Sequence, residues 1–315
     1  MNTKRLIHKI GRSEFWGSRF YRLLIYILLF DLAFVFLFPF FYMIITSLKT
    51  ASDLIDSSIL WIPKEIEWKN YRNAYFALQY GRTVFNSAIV ASLSIFGHLA
   101  SCSLAAYAFA RYSFKGRDAI FLFVLLSIVV PTQVIIVPMY IQFSKLNWLG
   151  TYLPLIIPTF FGFGLKGALF IFIFRQFFVG LPPDLENAAR IDGCGGFRTY
   201  LRIILPISKA AILVVSVLAM VWHWNDYFEP SLYLTKPRLW LVPQMLPAMY
   251  DRMLSMGLDD MAEFLDTEVI DEGMIIFNEG VVLAGTFLVI LPILIPYFFV
   301  HKYFQESIAR TGLTE

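Results

Sequence analysis

Residues 184–206 read DLENAARIDGCGGFRTYLRIILP, a polar, helix-forming island in a chain that is otherwise strongly apolar. Pro182 and Pro183 close the apolar run before it. Asp184 is placed to cap a helix starting at Leu185, its carboxylate accepting from the exposed amides of the first turn. Ala188 and Ala189 give that helix a small surface that another protein can approach closely. Gly193 supplies the left-handed turn that a Cβ would penalise, so the helix ends there. A second amphipathic segment, Phe197 to Leu205, stops at Pro206. The product is a short helix-turn-helix lying at a membrane surface. On these features alone two readings stand: an amphipathic connector, or a seat on which another protein docks.

The remainder of the chain explains why this island stands out. Of 315 residues, 58% are hydrophobic, 17% aromatic and only 16% charged, with a mean hydropathy of +0.65. Soluble domains carry about 45–50% apolar and about 25% charged residues, so the composition is that of an all-α, multi-pass integral membrane protein. A spanning helix needs about 20 largely apolar residues, because the hydrocarbon core is about 30 Å thick and a helix rises 1.5 Å per residue. Six stretches qualify as transmembrane helices: 23–46, 84–110, 118–142, 152–178, 209–233 and 280–303. The fourth is the most interrupted, by Pro154, Pro158, Gly162, Gly164, Lys166 and Gly167. Segment 1–22 is basic and polar, and the apolar run behind it is too long for a signal-peptide core; it reads as a retained first span.

Lys and Arg placement sets the orientation. With the N-terminus inside, sixteen fall in the inner segments (1–22, 111–117, 175–209 and beyond 300) and nine in the outer ones, although the outer segments are longer. Both termini, including the tail 304–315, are therefore expected in the cytoplasm, with the 182–206 loop between spans four and five on the same side. Outer segment 46–82 mixes polar and aromatic residues as a structured cap would. Outer loop 234–279 is acidic, with nine Asp/Glu against three Lys/Arg. Cys102 and Cys194 give neither a disulfide framework nor metal-ligand spacing, and a net charge of +3 gives no indication of nucleic acid.

The 184–206 stretch resembles the signature loop of the membrane-spanning permease subunit of importers driven by ATP-binding cassettes. In that family Glu-Ala-Ala is followed by three residues, Gly, nine residues and Ile-x-Leu-Pro. Here Ala188-Ala189 precede Arg190-Ile191-Asp192 and Gly193, and residues 194–202 precede Ile203-Ile204-Leu205-Pro206. The wording Ala-Ala-Arg-Ile-Asp-Gly resembles the carbohydrate-uptake branch, similar to the second membrane component of maltose-type systems. Further matches are PFFYMIITSLK (39–49), NSAIVA (86–91), AAYAFARYSFKGR (105–117), PTQVIIVPMY (131–140), FRQFF (174–178) and WND (224–226). One departure is Asn187, which stands where the family usually has Glu; Glu186 is one residue earlier, rotated by about 100° on a helix.

The resemblance implies a bacterial plasma-membrane subunit and a coupling role for Glu186, Asn187, Ala188, Ala189, Asp192, Gly193, Ile203, Leu205 and Pro206. It also implies a second homologous permease, two cytoplasmic ATPase subunits that would hold ATP and Mg, an extracytoplasmic solute-binding protein that the acidic 234–279 loop would reach, and lipid around the spans. The chain has no G-x-x-x-x-G-K-[ST] phosphate loop, so it is expected to be a transport component and not an enzyme, with no cofactor or metal of its own.

Several residues in or near the spans are candidates for the substrate path. Lys166 lies within an apolar stretch where a cation costs about 2.5–3.5 kcal/mol. It either faces the path, favouring an anionic or strongly hydroxylated sugar, or forms a structural ion pair with an acid, one on a partner subunit being a candidate. His223, Trp224, Asn225 and Asp226 combine aromatic faces with amide and carboxylate groups, which suits a sugar; an interfacial aromatic belt is the other reading, chiefly for Trp222 and Tyr227. His98 and Asp31 are single polar residues on apolar helices and read as buried and partnered. The rival function is an ion-gradient-driven secondary transporter, which would call for paired membrane carboxylates and inverted repeats. A membrane enzyme would need a convergent catalytic constellation, and none is visible.

Overall fold

The computed structural model describes the backbone of residues 3–255 and 278–311, and every described element is helical. Helix α1 spans Thr3–Ser47, α2 Ala51–Ile55, α3 Lys69–Ala77 and α4 Tyr80–Arg111. Helices α5 (Arg117–Val129) and α6 (Thr132–Lys145) follow, then α7 (Leu153–Ile156), a 3-10 turn at Ile157–Phe161, and α8 (Gly164–Val179). The polar island comprises α9 (Asp184–Ile191), α10 (Gly196–Thr199), a π turn at Tyr200–Ile204 and α11 (Leu205–Ile207). Helices α12 (Lys209–Trp224), α13 (Phe228–Tyr233), α14 (Val242–Ser255) and α15 (Glu279–Thr311) complete it.

Among the described residues, four stretches are long and apolar enough to cross a membrane: Tyr21–Ser47, Tyr80–Arg111, Leu153–Val179 and Glu279–Phe298. Two bent pairs bring the number to six if each is one span. The stretch expected as one helix over 118–142 is two, α5 and α6, meeting at 100°. Pro131 causes the break: it has no N–H to donate, and it holds Val130 in extended backbone. The stretch expected over 209–233 ends as α12 at Trp224, and α13 is a separate turn beyond Asn225–Tyr227. In the 152–178 stretch the helix tightens to 3-10 form and then passes through left-handed Gly162 and Gly164 before α8 begins.

Helix α4 holds these interruptions together. Asn86 donates to the Arg238 and Trp240 carbonyls at 3.1 and 3.0 Å, and Ser87 Oγ accepts from the Val242 amide at 2.9 Å. Seven residues on from Ser87, Ser94 Oγ donates to the Leu155 carbonyl at 3.3 Å. Seven further, Ser101 Oγ donates to the Thr159 carbonyl at 2.7 Å. One helical stripe thus supplies hydrogen-bond partners to irregular backbone that hydrocarbon cannot satisfy. Gly97 lies on the same stripe, and a Cβ there would collide with Thr159 Oγ1 and the Phe160 ring.

On another face of α4, Cys102 and Ala106 are small enough for α8 to approach, and Phe170, Phe174 and Phe178, one turn apart on α8, are fully buried there. Ala211, Val215 and Ala219 close the cluster from α12. Small residues against large ones give close packing where lipid removes the hydrophobic drive between helices. A second cluster joins α3, α14 and α15 through Ala74, Leu78, Val242, Met249, Val281 and Ala284. Outer segment 46–82 is tied by its own polar groups. Buried Lys49 donates to the Ile59 and Leu60 carbonyls at 2.8 and 3.0 Å, and Asn70 donates to the Ser47 and Lys49 carbonyls. In that cap, hydrogen bonds from the Ser58 hydroxyl and amide and from Lys64 hold the Asp56 carboxyl down at about 2.

Asp31, expected to be buried and partnered, is exposed on α1, in a stretch that the other described helices cover only toward its Met43–Ser47 end. Residues 256–277 of the acidic loop, with Asp259, Asp260, Glu263, Asp266, Glu268, Asp271 and Glu272, lie outside the described residues, and the expectation attached to the loop's acidic part falls there too.

Replacing Gly97 by Val pushes the 3-10 segment off α4. The loss is about 1–3 kcal/mol, the range for overpacking a filled site, read as a lower melting temperature in detergent. Phe123→Ala, on a side chain 71% exposed, leaves the melting temperature near that of the native chain.

Candidate functional site

Two polar regions lie at opposite ends of the central helices. The one expected on the inner side is the 184–206 island. Pro183, not Asp184, holds the cap position: its backbone is already helical, and no side chain caps the helix. Proline's fixed φ starts the helix one residue earlier than expected and leaves the exposed Asp184 carboxylate in the first turn, where the helix dipole favours it. At the other end the Cys194 amide donates to the Ala189 carbonyl at 2.9 Å and the Gly193 amide to the Arg190 carbonyl at 3.0 Å. Gly193 sits at φ 73°. This paired closure requires the left-handed residue that glycine supplies without strain.

Pro206 does not stop the second segment. The helix runs Gly196–Ile207 and bends by 78° into α12 at Ser208. The π turn precedes the proline, the Ser208 amide turns to the Leu205 carbonyl at 3.1 Å, and Ser208 Oγ serves the Ile204 carbonyl at 2.5 Å, so the chain bends there and continues. Ile204 is the fully buried member of the Ile-Ile-Leu-Pro run; Ile203 and Leu205 are half-buried and Pro206 is exposed.

Helix α9 divides cleanly. Glu186 and Ala189 face inward, while Asn187, Ala188, Ile191, Asp192 and Gly193 face out. Ile191 is 86% exposed and Phe197 63%, leaving an apolar surface at the tip of the loop. The inward side is borne by the end of α4. Arg111 Nη2 donates to the Leu181 carbonyl at 2.6 Å, and its Nε lies 3.1 Å from Glu186 Oε1. That N–H is not aimed at the oxygen, so the contact is a close charge pair and not a linear hydrogen bond. Tyr200 shares a 2.6 Å hydrogen bond with Ser103, and its ring lies 5.3 Å from that of Tyr107. Ser103, Tyr107 and Arg111 are successive turns of one helical face, which the sequence reading passed over although it quoted the stretch containing Tyr107 and Arg111.

The outer region gathers Lys166, His223 and Asp226, three residues expected on the substrate path. Lys166 Nζ lies 2.9 Å from Asp226 Oδ2 and 3.6 Å from Glu229 Oε1, so its acids come from this chain. Asp226 Oδ1 also accepts from the Glu229 amide at 3.2 Å, fixing the start of α13. His223 Nε2 faces His98 Nε2 at 3.2 Å, which requires one ring to carry its proton on Nε2 while the other accepts. His98 is buried and partnered, as its position implies. A cavity of about 160 Å³ separates α6 and the 3-10 turn from these groups; His98, His223, Lys166, Glu229, Trp222 and Tyr233 line it. A wider cleft of about 740 Å³ adjoins it and includes Asn225 and Asp226.

Asn225 is exposed, its amide donating to the Val221 carbonyl at 2.8 Å. Trp224 is turned away from both spaces, buried, with its indole N–H donating to the Val289 carbonyl of α15 at 3.0 Å. The members that sequence reasoning missed as site residues are His98 and Glu229. Glu229 carried one available signal, lying three residues after Asp226. Among the described residues no group of three His, Cys, Asp or Glu is arranged to hold a metal.

Among the described residues the chain is an all-helical bundle with broken apolar stretches, a projecting polar loop and a polar cavity between its helices, features that suit a transport subunit. Residues 97–310 match the binding-protein-dependent transport system inner membrane component family, and the chain belongs to it. This is the family that the 184–206 stretch resembles, and the protein is accordingly a multi-pass inner-membrane component of a transport system. It is 35% identical over 213 residues to a probable ABC transporter permease protein of Pyrococcus horikoshii, covering 67% of this chain and 76% of that one. It is 28% identical over 296 residues to the arabinooligosaccharides transport system permease protein AraQ of Bacillus subtilis, covering 93% and 96%. Over 281 residues it is 26% identical to the sn-glycerol-3-phosphate transport system permease protein UgpE of Brucella suis, covering 87% and 91%. Its fold matches a chain of a bacterial ABC transporter involved in the import of the acidic polysaccharide alginate. There the TM-score is 0.74 at 19% identity, over 91% of this chain and 98% of that one.

Removing one member of a poorly solvated charge pair leaves the other uncompensated. Arg111→Ala is expected to loosen α9, lowering transport at least about tenfold (about 1.4 kcal/mol) while ATP hydrolysis by the assembled complex persists. The Arg111→Glu, Glu186→Arg double variant is expected to recover part of the loss. Transport per ATP hydrolysed in proteoliposomes is the measurement.

Proposed function

We propose that this chain is one of two homologous permease subunits of an ABC importer, forming with its partner the path by which a sugar or oligosaccharide crosses the plasma membrane. Two cytoplasmic ATPase subunits hold ATP and Mg and dock on α9. An extracytoplasmic solute-binding protein delivers the substrate to the outer side. Six spans, each bent pair taken as one, with both termini in the cytoplasm, accord with α9 lying on the inner side and the Lys49–Asn70 cap on the outer. The family and the sugar-transport names of its relatives support this reading over an ion-gradient-driven transporter.

The observation that carries the proposal is the form of α9: a closed, glycine-terminated helix with Glu186 turned in to Arg111 and Asn187, Ala188 and Ile191 turned out. Asn187, exposed where the family usually has Glu, offers hydrogen bonds to the ATPase in place of a charge. Lys166, His223 and Asp226, with Asn225 at the adjoining cleft, form this subunit's share of the substrate path. When the ATPase pair closes on ATP, α9 moves with it, and the clamp on α4 passes the movement toward His98 at the cavity.

Copurification with the ATPase and partner permease from a mild detergent tests this. The native chain is expected to capture the ATPase. Gly193→Val is expected to lose it: nothing crowds a Cβ at that position, so the defect arises from forcing a β-branched residue into left-handed backbone, about 1–2 kcal/mol. A native chain that purifies and transports alone would overturn the reading.

A further inference from the structure

We infer that the cavity between α4, α6, α8 and the α12–α13 turn is a selectivity site for an uncharged, hydroxyl-rich ligand such as a neutral sugar ring, and that Asp226 and Glu229 make it refuse anions. The inference rests on the importer reading and supplies its substrate class.

Three chain interruptions converge on this space. Thr132 is the first residue of α6 after the Pro131 break, and Lys166 lies in the first turn of α8 after left-handed Gly162 and Gly164. Trp222 and His223 end α12, and Glu229 begins α13. Residues from each line the cavity. Irregular backbone at membrane depth is tolerated where it is buried in protein or borders a polar space, and discontinuous helices gather at transporter binding sites. The depth fits: α8 places Lys166 about 20 Å from the coupling side by helical rise, well inside the bilayer. The closed part, about 160 Å³, has room for a ring and not a chain, and the 740 Å³ cleft beside it shares Thr132, Lys166, Trp222 and Glu229.

The charge balance gives the ligand class. Among the described residues, Lys166 is the one Lys or Arg lining either space, and two carboxylates of the same chain already face it. The triad carries a formal charge of −1. The N-termini of α6, α8 and α13 each add roughly half a positive charge and the C-terminus of α12 removes as much, so the site carries no net positive charge to attract an anion. A carboxylate or phosphate ligand reaches Lys166 only by displacing Asp226 or Glu229, leaving that acid unpaired in a low-dielectric space. A hydroxyl has no such conflict: it donates to a carboxylate and accepts from an ammonium or an imidazole N–H. The Trp222 and Tyr233 rings offer apolar faces beside those groups.

The intact complex of this chain with its partner permease and ATPase subunits, without binding protein, is incubated with maltotriose and arabinotriose as neutral probes and with trigalacturonate as the anionic one. Binding is followed by saturation-transfer NMR and competition. A neutral trisaccharide is expected to bind at least about tenfold more tightly than trigalacturonate, and Glu229→Gln is expected to narrow or invert that ratio by freeing Lys166. Asp226→Asn, which also loosens the start of α13, serves as a second variant, and melting temperature reports folding for both. Equal or tighter uronate binding by the native complex, no binding of either neutral probe, or an unchanged ratio in folded Glu229→Gln overturns the inference. ATPase capture and hydrolysis in the same samples separate the two failures: selectivity lost with the ATPase present sinks this inference alone, whereas no ATPase capture sinks the importer reading.

Discussion

A helix that breaks inside hydrocarbon strands backbone N–H and C=O groups, each costing several kcal/mol if unpaired. This chain breaks repeatedly, and α4 carries the remedy. Asn86, Ser87, Ser94 and Ser101 hydrogen-bond to the backbone of the 238–242 and 155–159 segments. Between them, Gly97 lets the 3-10 turn lie flat on the helix. The cavity exists because those interruptions are tolerated, and they are tolerated because one long, unbroken helix presents a polar stripe to them.

The same helix joins the two polar regions. Its Ser103, Tyr107 and Arg111 hold the inner loop, and its His98 forms part of the cavity wall. Arg111 and His98 are separated by about 20 Å of continuous helix. The loop lies in sequence between α8 and α12, yet its buried charge is answered by α4. Buried charges in both regions find partners within the chain, Glu186 with Arg111 and Lys166 with Asp226 and Glu229. What α9 turns outward includes Asp184, Asn187, Ala188, Arg190 and Ile191, followed by Asp192.

Local chemistry was the legible part. Gly193 was readable because a helix terminus of this kind needs left-handed backbone, and the structure closes α9 there. The apolar stretches were readable because composition alone decides what can lie in lipid. Proline was seen and only partly interpreted: Pro183 starts a helix one residue early, Pro131 splits a span in two, and Pro206 bends a helix where a stop was expected. Whether a proline ends, starts or bends a helix depends on how the neighbouring groups satisfy the backbone around it; at the bend after Pro206, Ser208 Oγ serves the Ile204 carbonyl. The candidate site was legible in Lys166, His223 and Asp226 and not in His98 or Glu229. Trp224, adjacent to His223, faces α15, since successive helical residues point about 100° apart.

The sequence by itself determined the family, the helical class, the apolar stretches and the glycine-terminated form of the inner loop, all of which rest on residues within a few turns of one another. Only the tertiary structure decided that Lys166 is neutralised by Asp226 and Glu229, that His98 meets His223 across 125 residues of chain, and that Glu186 turns inward to Arg111. Those pairings depend on where each helix breaks and which face its neighbours cover, and packing sets both only when the helices are brought together.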